Sequence, residues 1–91
     1  MTGTKRTEAG VAFGRVLAHL RAAVGVSQEE LAHRADVDRT FISRLERGVR
    51  QPTITTLIAV GEALGTTATE LVQATEKELQ SNNKKRRSSS D

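Results

Sequence analysis

The sequence predicts an all-α domain, a compact packing of five short helices around one core. Three observations carry this. Apolar residues recur at helical spacing, as Phe13, Leu17, Leu20 and Val24 do at i, i+4, i+7 and i+11. Residues suited to helix starts alternate along the chain with glycines suited to helix ends. No stretch alternates apolar and polar residues at period two, so there is no strand signal.

The first helix is predicted from about Val11 to Val24, stopped by Gly25. Ser27 opens the second, with Glu30 three residues on as the partner of a capping box. Leu31, Ala32 and Ala35 face inward, and Asp36 stands where the chain must turn sharply. Asp38 is a good cap for the third helix, whose apolar contacts are only Ile42 and Leu45. Gly48 ends that helix, and Pro52 keeps the following loop from being helical. Thr53 caps the fourth, with Leu57, Val60, Gly61 and Leu64 on one face and Gly65 closing it. Thr67 and Glu70 form a second capping box for the fifth, which carries Leu71 and Val72 to about Leu79. The expected organisation is therefore a flexible stretch over 1–9, a folded unit over 10–79 and a disordered basic tail over 80–91, which reads SNNKKRRSSSD from Ser81.

A chain of 91 residues has room for one small core. It lacks cysteine, which excludes disulfides and thiolate metal sites. No apolar run is long enough to span a membrane, and MTGTKRTEAG has no signal-peptide stretch, so a cytoplasmic location is expected. The net charge of +3 sits in the tail, where Lys84, Lys85, Arg86 and Arg87 face only Asp91. The other 79 residues hold ten basic and ten acidic groups, so any affinity of the folded part for an anion must come from charge placement. Four arginines, Arg39, Arg44, Arg47 and Arg50, fall within twelve residues, opposed only by Asp38 and Glu46.

The second and third helices have the spacing and side-chain sizes of a helix-turn-helix. Counting Gln28 as position one, position five must be small, because the two helices nearly touch there, and it is Ala32. Positions four, eight, ten, fifteen and eighteen must be apolar, and they are Leu31, Ala35, Val37, Ile42 and Leu45. Position nine prefers glycine; Asp36 is the one departure. In such a pair the second helix enters the DNA major groove. Thr40, Ser43, Arg44 and Arg47 lie at i, i+3, i+4 and i+7, one outward stripe with Arg39 beside it. Arginine pairs with guanine O6 and N7 together, and the threonine methyl meets that of thymine. A solvated basic face is the plain alternative.

The run Gly25-Val26-Ser27-Gln28-Glu29-Glu30-Leu31-Ala32, followed by Ile42-Ser43-Arg44-Leu45-Glu46-Arg47-Gly48 and Pro52-Thr53, resembles the Cro and lambda-repressor type, or Xre-like, helix-turn-helix family. Ala63-Leu64-Gly65, Thr67 and Glu70-Leu71 extend the match to roughly 11–72. Within the family, Asp38-Arg39-Thr40-Phe41-Ile42-Ser43 resembles the recognition helix of restriction–modification controller proteins.

The resemblance implies a lambda-repressor-like fold and a sequence-specific transcriptional regulator bound to double-stranded DNA as a homodimer on an inverted repeat. It implies that Gln28 bonds a phosphate and braces the start of the recognition helix. It also implies an ion pair between Arg21 and Glu46 that ties that helix to the scaffold. Phe41 is either packed under the helix or set against a thymine methyl. Arg50 reaches a phosphate or a base edge, and Thr53 both caps its helix and offers a phosphate contact. Asp38, Arg39, Thr40, Ser43, Arg44 and Arg47 complete the DNA-facing set. Helices four and five, with Ile58 or Val49, are the expected dimer surface.

No enzyme is expected: no nucleophile signature surrounds any serine. No metal or cofactor is expected either, since His19 and His33 stand fourteen apart without cysteine. The alternative is an antitoxin whose segment 73–91 grips a toxin, although Leu79 is its only large apolar anchor. A protein-binding scaffold is a third reading, which the basic stripe disfavours.

Overall fold

The computed structural model describes residues 7–90, with side chains through residue 82. Five helices follow one another: α1 (Glu8–Val24), α2 (Gln28–Ala35), α3 (Arg39–Glu46), α4 (Ile54–Ala63) and α5 (Ala68–Ser90). No strand occurs among the described residues.

Local chemistry sets most boundaries. The Thr7 hydroxyl accepts from the Gly10 amide at 2.9 Å and starts α1 three residues before the predicted Val11. The apolar stripe begins only at the second turn, so periodicity alone missed the first. Residues 7–9 thus belong to the folded unit, and of the stretch 1–9 only 1–6 lie outside the described residues. Ser27, Thr53 and Thr67 each accept from the amide three residues on, at 3.0, 3.2 and 3.1 Å. The two capping boxes form in one direction only. The Glu30 carboxylate takes Arg34 at 2.9 Å instead of returning to Ser27, and Glu70 takes the Thr66 hydroxyl. Asp38 has the extended backbone of a cap but its side chain makes no capping bond, which corrects the expectation for that helix start.

The helix ends bear out one expectation, at Asp36, and correct another, at the end of α5. Asp36 adopts the left-handed conformation at φ 59°, so it fills the turn that glycine fills elsewhere. Its amide and that of Val37 close onto α2 carbonyls, the latter on Ala32 at 2.9 Å. α5 runs to Ser90 and not to Leu79. Residues 76–90 contain no glycine or proline, and lysine, arginine, glutamate and glutamine are good helix formers; a charged composition signalled solvation, not a loss of helix. The side chains of Lys84, Lys85, Arg86 and Arg87, and Asp91, lie outside the described residues.

Every helix contributes to one core, in which Leu17, Leu31, Ile42, Leu45, Val60 and Leu71 are fully buried. Each such side chain stabilises the fold by about 1.5–3 kcal/mol relative to exposure. α1 packs on α5 and α3, while α2 packs on α3 and α4. The contact of α1 with α3 depends on Gly14, where an added Cβ would sit 2.6 Å from the Leu45 carbonyl oxygen. Gly48, at φ 78°, turns the chain after α3 while lying against Val11. α3 is thereby held along two sides and leaves the remainder of its surface open. No single helix is long and apolar enough to cross a membrane.

Candidate nucleic-acid interface

The end of α3 is fastened by a network centred on Glu46. Arg21 on α1 donates from Nε to Glu46 Oε2 at 2.6 Å and from Nη2 to Oε1 at 3.2 Å. Its Nη1 donates to the Val26 carbonyl at 2.9 Å, so one guanidinium joins α1, the turn before α2 and α3. The Glu46 side chain is only 9% exposed. Its hydrogen bond raises the Arg21 pKa, burial works against that rise, and the charge of Glu46 adds to it. The forked geometry is the strong arrangement for an arginine and a carboxylate. Glu46 is therefore spent within the protein and does not present a free charge beside the arginines.

Gln28 joins the same network. Its Nε2 donates to Glu46 Oε1 at 2.9 Å. The resemblance implies that Gln28 braces the start of α3; in the structure it braces the end, since Glu46 is the last residue of that helix. One amide hydrogen of Gln28 is used, and the second remains.

Along α3 and at its C-cap, Arg39, Thr40, Arg44 and Arg47 are exposed and Ser43 is half-buried. Thr40, Phe41, Arg44 and Asp38 line one shallow depression with Arg50 from the following loop and with Asp36 and Val37 from the turn. Five of the expected residues thus meet there, while Arg39, Ser43 and Arg47 lie outside it. Phe41 is half-buried and packs on the core, as the packing reading expects, while also forming part of the depression. Thr53 uses its hydroxyl as a cap and shares a hydrogen bond with the Thr56 hydroxyl at 3.1 Å. His19 and His33 are both exposed, and no group of acidic, histidine or cysteine residues among the described ones is arranged to hold a metal ion.

The arginines divide sharply. Arg15, Arg21 and Arg34 each pair with a carboxylate, at 3.3, 2.6 and 2.9 Å. Arg39, Arg44, Arg47 and Arg50 form no ion pair among the described residues. A nearly neutral folded unit thus carries a one-sided basic surface at α3. Two supports of that surface were not foreseen. Gly14 admits the α3 carbonyls, and Gln51 Nε2 donates to Thr7 Oγ1 at 3.0 Å, anchoring the loop of Arg50 to the start of α1. Thr7 as a cap was legible from the sequence; its bond to a residue 44 positions away was not.

The helix-turn-helix family model matches residues 17–71. The uncharacterized HTH-type transcriptional regulator y4dJ of Sinorhizobium fredii is 41% identical over 63 residues, which is 69% of this chain and 82% of that protein. The restriction–modification controller protein C.AhdI of Aeromonas hydrophila has 38% identity and a TM-score of 0.65, covering 67% of this chain and 92% of that one. A mutant of C.Esp1396I bound to its highest-affinity operator site has 30% identity and a TM-score of 0.74, covering 81% of this chain and 97% of that one. These relatives are regulators and controllers, so the antitoxin alternative gains no support. The chain belongs to the Xre-like helix-turn-helix family of DNA-binding transcriptional regulators and resembles, within it, the restriction–modification controllers.

Proposed function

We propose that the protein acts as a homodimer that lays α3 of each protomer into successive major grooves of an inverted repeat. The observation that carries this reading is that, among the described residues, the four arginines on and just after α3 form no ion pair, whereas Arg15, Arg21 and Arg34 each have one. Unpaired guanidiniums meet DNA without first breaking an internal ion pair. Arg39, Thr40 and Arg44 contact bases, Ser43 contacts a base or sugar edge, and Arg47 and Arg50 reach phosphates or a base at the rim. Phe41 sets its open side against a thymine methyl. Gln28 donates its remaining amide hydrogen to a phosphate while Glu46 holds the other. The first turn of α4 behind Thr53 supplies a further phosphate contact. The operator-bound C.Esp1396I relative supports this mode.

Dimerisation runs through α4 and α5. Ile54, Ile58 and Val72 are 71%, 46% and 43% exposed, and among the described residues only Val24 at the end of α1 is a further large hydrophobic so exposed. Ile54 and Val72 border a groove with Leu57 and Ala68 between the two helices. Val49, the other candidate, is half-buried and less available. The regulator performs no catalysis and works where the DNA is, in the cytoplasm.

The test is selection of bound duplexes from a random pool at about 150 mM salt, which suppresses sequence-blind attraction. Enrichment of an inverted repeat with half-sites about 10 bp apart is the expected result. Folded protein that enriches nothing, or that sediments only as a monomer at high micromolar concentration, overturns the reading.

A further inference from the structure

We propose that Asp38 reads a base, and that the base it selects is cytosine, through the exocyclic N4 amine. The inference rests on the docking of α3 proposed above.

Asp38 occupies the cap position of α3, with φ −75° and ψ 146°, yet its side chain accepts no capping hydrogen bond. The caps of α1, α2 and α4, and Thr67 before α5, all do accept one. The carboxylate also forms no ion pair among the described residues, although it lines the same depression as Arg44 and Arg50. It is exposed, beside Thr40 and Phe41, at the end of the helix that leads into the groove. Recognition helices contact base edges with their N-terminal residues.

A free carboxylate there faces phosphates and base acceptors, which repel it. Guanine offers N7 and O6 and thymine offers O4, all acceptors. Only the amines of cytosine and adenine donate in the major groove. Adenine places the N7 acceptor beside its N6 amine, so one carboxylate oxygen is repelled while the other is bonded. Cytosine presents N4 with no acceptor of its own on that edge. Asp38 therefore favours cytosine by attraction, repels guanine and thymine, and meets attraction and repulsion together at adenine, as a specificity element with both signs.

The experiment compares duplex selection and binding by the wild-type chain, Asp38→Ala and Asp38→Asn. The wild type is expected to enrich an operator with cytosine at one fixed place in each half-site. Asp38→Ala is expected to lose that preference by about fivefold or more, with the remainder of the motif and the melting temperature unchanged. Asp38→Asn is expected to move the preference from cytosine to adenine, whose N6 and N7 match an amide. An Asp38→Ala variant that binds all sequences more tightly with an unaltered motif overturns the inference, because Asp38 is then a spectator charge. Loss of preference at a guanine instead shows that Asp38 orients an arginine, and a lower melting temperature with an unaltered motif shows a cap; both also overturn it. These three outcomes leave the regulator reading intact, whereas a wild type that enriches nothing removes both.

Discussion

At the scale of single residues, Glu46 is the side chain on which the most depends. It accepts from Arg21 twice and from Gln28 once, and it lies at the end of the helix carrying the basic face. Glu46→Gln keeps the shape but leaves a largely covered guanidinium without its charge partner. The expected loss is about 2–3 kcal/mol, below the full cost of breaking a buried pair because Arg21 retains some solvent. For a domain of this size that lowers the melting temperature by roughly 10 °C or more, readable by circular dichroism. The pH dependence follows from the raised Arg21 pKa. A raised folded value stabilises below the unfolded value and is lost only as pH rises through the folded one. Both lie far into alkali, so the difference between Glu46→Gln and wild type due to Arg21 is expected to stay constant between about pH 7 and pH 9. Paired melts at those two pH values check this.

At the scale of helices, the contact between α1 and α3 is set by a missing side chain. An alanine at Gly14 brings its Cβ to 2.5 Å from the Glu46 carbonyl oxygen and 2.6 Å from that of Leu45, both backbone atoms that cannot swing away. Gly14→Ala improves helix propensity by about 1 kcal/mol. The overpacking costs about 1–3 kcal/mol, so the net change is a destabilisation of up to about 2 kcal/mol. Because α3 must shift to relieve the clash, operator affinity is expected to fall more than stability alone explains. Titration of the selected operator well below the melting temperature measures that excess. Unchanged affinity at full folding refutes the coupling of α1 to the recognition surface. α1, α2 and the turn between them were legible from apolar spacing, Gly25 and Ser27. Gly14 was not, since glycine within a helical pattern looks like a tolerated weakness until its neighbour is known.

At the scale of the whole molecule, charge and apolar surface are sorted onto different parts of the domain. Ten basic and ten acidic groups outside the tail cancel, but internal pairing removes Arg15, Arg21 and Arg34 and leaves the α3 arginines without an ion pair among the described residues. The exposed Arg15–Glu78 pair contributes little to stability, and its effect is to keep a positive charge off another face. Ile54, Ile58 and Val72 gather on α4 and α5. Ile58→Asp is expected to leave the melting temperature of the monomer nearly unchanged, since the side chain is already 46% exposed. It is expected to shift sedimentation toward monomer and to weaken binding to a full inverted repeat by at least about tenfold, with half-site binding preserved. A dimer that survives this substitution and Ile54→Asp rules out the α4–α5 surface.

The five helices, the spacing of α2 and α3 and the identity of the basic face were determined by the sequence alone. Helical period, caps and turn residues act over a few positions, so they are written locally. The fate of each charged group was decided only by the tertiary structure. Gln28 meets Glu46 across 18 positions, Arg21 meets it across 25, and Gln51 meets Thr7 across 44. No local pattern specifies which arginines find carboxylates, because partner choice depends on how whole helices pack. That packing consumes Arg21 and Glu46 as structure and leaves Asp38, Arg39, Arg44, Arg47 and Arg50 without an ion pair among the described residues.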